Sequence, residues 1–192
     1  MRWPRLDHFD LAAPFYERVI SHAEPEWLAD LLDLSAGGRL LDVGGGTGRV
    51  SGALAERVAQ VVLTDPSWGM LRQARAKARL ESANAHAERL PFTDGAFDRI
   101  LMVDAFHHVC DQDQTVAEML RVLAPGGRLV VEEPNIETVS VKLVALAEKL
   151  AFMRSHFVRP AVMAGMFRAH GARAEVRELP GNPNNIWLIV EH

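Results

Sequence analysis

The stretch Leu40-Leu41-Asp42-Val43-Gly44-Gly45-Gly46-Thr47-Gly48-Arg49 constrains the fold more than any other part of the chain. An apolar run ends in an acid, glycines at alternate positions make a turn, and an amphipathic helix follows at once. Glycine lacks a Cβ, so Gly44, Gly46 and Gly48 reach backbone angles closed to other residues and let a ligand lie against the main chain. A helix starting near Gly48 aims unpaired N–H groups and the positive end of its dipole at whatever fills that turn. The pattern predicts a nucleotide-cofactor site at the end of a parallel strand.

Spacing narrows the cofactor. A dinucleotide turn reads Gly-x-Gly-x-x-Gly/Ala, its third small residue allowing helix and strand to pack closely. Here that position falls on Arg49 or Ser51, depending on the glycine taken as first, which disfavours a nicotinamide or flavin. No lysine follows the glycines, so a phosphate-binding P-loop is worse. Val61-Val62-Leu63-Thr64-Asp65 reads as the second strand, its acid 21 residues after Gly44. In doubly wound folds an acid at about that separation reaches ribose hydroxyls, and a carboxylate offers acceptors to both.

Further motifs follow in order: Pro66-Ser67-Trp68-Gly69-Met70-Leu71, then Ala87-Glu88-Arg89-Leu90-Pro91-Phe92 with Gly95-Ala96-Phe97-Asp98, then Arg121-Val122-Leu123-Ala124-Pro125-Gly126-Gly127-Arg128-Leu129. With the glycine turn, these resemble the class I S-adenosylmethionine-dependent methyltransferases, in their small-molecule branch. Phe9-Asp10-Leu11-Ala12-Ala13-Pro14-Phe15-Tyr16 looks like the leader helix of the ubiquinone/menaquinone-biosynthesis C-methyltransferases. The resemblance covers roughly residues 9–135.

The resemblance implies a Rossmann-like α/β fold. Its seven-stranded, mostly parallel sheet has the order 3-2-1-4-5-7-6, with helices on both faces and an N-terminal helical lid. It also implies S-adenosylmethionine as cofactor and S-adenosylhomocysteine as product. On that basis Asp42 orients the turn and faces the cofactor's ammonium end, and the main chain of Gly44, Gly46, Thr47 and Gly48 packs on it. Asp65 takes the ribose with Pro66 beside it, Met70 covers adenine, and Ala87 and Glu88 edge the base. Val103 and Asp104 end the fourth strand beneath the methionine portion. One position departs from the family pattern: His86 stands where an acid usually precedes Ala-Glu. A neutral imidazole can accept from the adenine amino group; the alternative is a side chain turned to solvent.

Methyl transfer from a sulfonium is an in-line displacement, so the protein chiefly positions the nucleophile and excludes water. A base helps only a protonated nucleophile. Parallel sheets bind ligands beyond the carboxyl ends of their strands, which makes His107 and His108 the candidate bases. Capping of the strand-to-helix turn is their alternative role. As adjacent residues they are expected to diverge, and no further Cys or acid completes a metal-ligand spacing, so no metal is expected. Tyr16 either closes over the ligands or anchors the leader helix.

The whole chain sets the outer limits. Its 192 residues make one domain: a helical lid over 1–35, a cofactor-binding core over 36–135, and a lid helix, last helix and hairpin over 136–192. A net charge of −4 argues against nucleic-acid binding, and the single Cys110 excludes an intramolecular disulfide. No signal-peptide pattern or membrane-spanning run is read, so a cytoplasmic location is expected.

Helices are expected near 10–22, 25–34, 48–59, 68–80, 111–122, 137–153 and 159–170, and strands near 39–43, 61–65, 84–87, 98–104, 128–133, 173–179 and 186–191. The 137–153 helix is apolar nearly all round, which fits core or dimer packing, or a lid over an apolar, even lipid-linked, acceptor. The leading function is methylation of a small apolar or aromatic molecule. The alternatives are a cofactor-binding regulatory or assembly protein without transferase activity, and a nicotinamide-dependent oxidoreductase.

Overall fold

Side chains of the central strands alternate between two apolar layers. In β1 (Arg39–Val43), Leu40 joins one layer while Leu41 and Val43 join the other. The alternation repeats in β4 (Phe97–Val103), where Ile100 and Met102 oppose Leu101, and in β5 (Leu123–Pro134), where Leu129 and Val131 oppose Val130. It recurs in β7 (Asn182–Glu191), with Ile186, Leu188 and Val190 against Trp187 and Ile189. A two-residue period with both sets apolar requires cover on both faces of the sheet.

That cover comes from the helices. The computed structural model describes residues 25–77, 79–150, 155–179 and 182–192. On one face lie α1 (Pro25–Leu32), through Leu28, Leu31 and Leu32, and α2 (Arg49–Leu54). Trp27 of α1 meets Trp187 edge to face at 4.7 Å. On the other face lie α4 (Gln112–Val122), through Val116, Met119 and Leu120, and α6 (Pro160–Ala169), through Met163 and Phe167. Part of the expected N-terminal lid, α1, is therefore core. The expected helix over 10–22 lies outside the described residues.

The seven strands run in the order β3-β2-β1-β4-β5-β7-β6, with β2 (Gln60–Asp65), β3 (Leu80–Asn84) and β6 (Arg173–Leu179) completing the set. Strands β1 to β5 pair in parallel, and β7 is antiparallel to both neighbours. This is the expected order. Among the described residues no helix is long and apolar enough to cross a membrane.

Local boundaries differ from expectation in four places, the first being β5, which starts at Leu123 rather than near 128. The helix after the glycine turn gives way to a 3-10 turn over Ala55–Arg57. Helix α3 (Trp68–Ala74) stops early, which brings β3 forward to Leu80–Asn84 rather than 84–87. Strand β7 begins at Asn182 rather than near 186, because Asn185 pairs with Pro134 and Asn182 with Leu179; the polar run before 186 extends the ladder.

Gly48 has φ +70°, and a Cβ there would come within 2.5 Å of Leu80 Cδ1. Gly48→Ala is expected to lower stability by about 2 kcal/mol or more in chemical denaturation, since left-handed strain and a core overlap add.

Candidate functional site

The carboxyl ends of β1, β2 and β4 surround a cleft of about 200 Å³. Its floor is built by main-chain bonds between two strand ends. Gly44 and Gly45 N–H both donate to Thr64 O, at 2.8 and 3.1 Å. Asp65 then locks the turn: Oδ2 accepts from Gly46 N–H at 3.0 Å and Oδ1 from Ser67 N–H at 2.7 Å. Ser67 in turn caps α3 by accepting from Met70 N–H at 3.2 Å. An acid, a serine two residues on and a methionine three later thus form one local device.

The expected cofactor residues mostly gather here. Gly44, Gly46, Asp65, Pro66 and Met70 line one side of the cleft; His86, Ala87, Glu88, Asp104 and His108 line the other. His86 is exposed at this rim. Glu88 Oε1 accepts from Cys110 N–H at 2.6 Å and Asp111 N–H at 3.2 Å, tying the loop to the start of α4. Arg121 holds that loop from behind, donating to Phe92 O at 2.8 Å and Leu90 O at 3.1 Å. Gly48 borders neither this cleft nor the small cavity behind the turn; its role is packing. Tyr16 lies outside the described residues.

Asp42, Thr47 and Val103 face the small cavity behind the glycine turn, together with Asp104. A Cβ on Gly45 would overlap the Asp42 carboxylate, so this close approach needs glycine. Asp42 is buried, and its Oδ2 has no hydrogen-bond partner among the described residues. Burial pushes its carboxyl up to about 6; the Ser51 hydroxyl and Arg49 oppose this and Asp65 adds to it. A buried, donor-seeking carboxylate behind the turn suits the ammonium end of S-adenosylmethionine. Asp104 has φ +53°, rare for a side-chain-bearing residue. Its carboxyl is also raised to about 6, first by burial and then by Glu133 and Glu132 against the lowering effect of His107.

Beyond Asp104 a second cavity, of about 360 Å³, opens between the ends of β5 and β7 and helix α5 (Val139–Leu150). Val141, Val144 and Phe157 give it apolar walls; Glu132, Asn184 and Asn185 give it polar ones. His107 lines this cavity rather than the cleft. It sits in a 3-10 turn, Phe106–His108, fixed by one carboxylate. Glu133 Oε1 accepts from Ala105 and Phe106 N–H at 3.0 and 2.7 Å, and Glu133 Oε2 meets His107 Nδ1 at 2.6 Å. Burial disfavours a charged His107, but Glu133 outweighs it and holds the pKa above the usual histidine value. Only Nε2 of that ring is left for other work.

The expectation that the two histidines diverge does not hold: their ring centroids are 3.9 Å apart, and His107 stacks on Phe157 at 4.2 Å. Glu132, Glu133 and Glu148 were not singled out from the sequence. Two consecutive acids ending a buried strand, Glu132-Glu133, were the available signal.

A doubly wound sheet carrying this cleft at its strand ends defines a nucleotide-cofactor-binding α/β protein. The family described as "Methyltransferase domain" matches residues 41–131. The methyltransferase GfsG of Streptomyces halstedii is 37% identical over 139 residues, covering 68% of this chain and 48% of the relative. The demethylmenaquinone methyltransferase of Thermus thermophilus is 40% identical over 139 residues, covering 65% and 63%. The ubiquinone/menaquinone biosynthesis C-methyltransferase UbiE of Pseudomonas putida is 38% identical over 114 residues, covering 54% and 44%. Residues 41–131 carry a methyltransferase domain, and the chain spans between 44% and 63% of these relatives' own length.

Among solved structures, an S-adenosylmethionine-dependent methyltransferase of Mesorhizobium loti has a TM-score of 0.74 at 20% identity, covering 88% of this chain and 99% of that one. The cyclase SpnF has a TM-score of 0.77 at 18% identity, covering 96% and 93%. At such identities the likeness is one of fold.

An acid charged at pH 7 but raised to about 6 in the folded chain costs roughly 3 kcal/mol relative to its ordinary value. Asp42→Asn is therefore expected to stabilise the unliganded protein at pH 7. The gain shrinks as pH falls through about 6 and is lost below the ordinary value of 3.8, where the wild-type acid is neutral in both states. Paired urea titrations across that range check it.

Proposed function

We propose that this chain transfers a methyl group from S-adenosylmethionine to a small apolar or aromatic acceptor, quinol-like or phenolic. The observation that carries this reading is the meeting of two cavities at Asp104, one against the glycine turn and one against α5. When bound, the cofactor supplies an electrophilic methyl on a sulfonium. Asp65, whose oxygens accept Gly46 and Ser67 N–H, borders the cleft, where a carboxylate acceptor suits a ribose diol. Asp42 faces the ammonium end. Met70 and Ala87, both buried, are placed to enclose the adenine, with Glu88 and His86 at its edge.

The apolar walls of the second cavity suit an aromatic acceptor and keep water from the transfer. We assign α5 to its cover. Val139, Leu143, Leu146 and Leu150 are exposed on α5, whereas a helix serving the core would bury them. The names of the UbiE and demethylmenaquinone relatives support a quinol-like acceptor.

Calorimetry with S-adenosylhomocysteine is expected to give saturable binding at one site per chain; none at high micromolar concentration would sink the proposal. Asp42→Asn should weaken that binding about tenfold or more, the scale of one charge-assisted hydrogen bond. Wild-type affinity should fall as pH drops through about 6, where Asp42 takes up a proton. Labelled S-adenosylmethionine offered with quinols, phenols and amines then reads turnover. Binding without transfer to any quinol or phenol rejects the acceptor class.

A further inference from the structure

Helix α5 brings Glu148 up to the two converging histidines. One ligand atom from each of His107, His108 and Glu148 lies within 4.8 Å of the other two. Glu148 Oε2 is buried with no hydrogen-bond partner among the described residues. An acceptor shielded from water and given no donor is costly, and a cation removes that cost.

His107 is prepared for a ligand role. Its Nδ1 is committed to Glu133 Oε2 at 2.6 Å, which leaves Nε2 as the free donor atom. A carboxylate behind an imidazole is the arrangement that orients metal-bound histidines and strengthens them as ligands. The surroundings also gather negative charge, since Asp104, Glu132 and Glu133 border the same cavity as Glu148.

We propose that His107, His108 and Glu148 form a binding site for a divalent first-row cation of the zinc type, with Glu133 orienting His107 from behind. Two imidazoles and one carboxylate are the donor set of zinc centres that keep an open position. Nitrogen and oxygen donors without thiolate also exclude a soft-metal or iron–sulfur site. Ligand atoms about 2 Å from a tetrahedral ion stand roughly 3.4 Å apart, so a side-chain rotation of Glu148 closes the set. His107 and Glu148 line the second cavity and His108 lines the cofactor cleft, which places the ion where the two meet. An oxygen ligand entering its open position from the second cavity would be acidified. The site is independent of methyl transfer, because cation binding is read without cofactor or acceptor.

The test titrates the full chain, stripped by a chelator, with zinc alone in a calorimeter above pH 7. One zinc per chain is expected. Glu148→Gln and His108→Gln should each weaken binding by tenfold or more, and Glu133→Gln by about 10- to 100-fold. His170→Gln, which removes a ring paired with Asp113, should leave it unchanged. Far-UV circular dichroism checks that each variant is folded. As a second measurement, cobalt(II) bound to the wild-type chain should show the visible bands of a four- or five-coordinate ion. Failure of the wild type to take up zinc overturns the proposal, as does undiminished uptake in folded Glu148→Gln and His108→Gln. So does a cobalt spectrum indistinguishable from that of the aqueous ion.

Discussion

One carboxylate at the end of β5 decides how the chain leaves β4. Glu133 accepts two consecutive main-chain N–H groups, from Ala105 and Phe106, and engages the His107 ring. Three contacts on one buried acid convert a flexible exit into a fixed 3-10 turn. That turn is the partition between the glycine-turn cleft and the second cavity, with His108 on one side and His107 on the other. Asp65 does the matching work one strand pair away, joining the glycine turn to the start of α3. The two acids act in the same way. Each spends its lone pairs on backbone donors at a strand end, where the ladder no longer satisfies them.

The sheet was legible because its strands are buried on both faces. A short β-branched run such as Val61-Val62-Leu63, followed closely by Pro66, reads as an interior strand, and the alternation of strand and helix then leaves few orders for the sheet. Where burial weakens, the signal weakens with it. Strand β3 is Leu-Glu-Ser-Ala-Asn at the sheet's edge, and its apolar pattern is too thin to fix the boundary with α3. The start of β7 was misplaced for a different reason. Asn-Pro-Asn-Asn has turn composition, but pairing to β5 and β6 overrides it.

The glycine-turn side of the candidate site was legible for a physical reason as well. Its residues sit on short local devices, Asp42 to Gly48 and Asp65 to Met70, whose spacing along the chain is itself the geometry. The second cavity has no such compact signature. Glu132 and Glu133 come from β5, Glu148 from α5 and Asn184 and Asn185 from β7, over fifty residues of chain. Only the sheet order 4-5-7 brings those segments together. The approach of His107 to His108 was likewise invisible, since it depends on Glu133 and Phe157, neither of them a sequence neighbour of the pair.

The left-handed backbone of Asp104 bears on how this protein can evolve. At φ +53° only glycine, asparagine and aspartate sit with little strain. Both alternatives lie one nucleotide change from an aspartate codon, and both are uncharged. Drift at the residue shared by the two cavities is therefore confined to switching a negative charge off or on while the chain path stays fixed. A lineage could retune the field at this junction in a single step, without remodelling the walls around it.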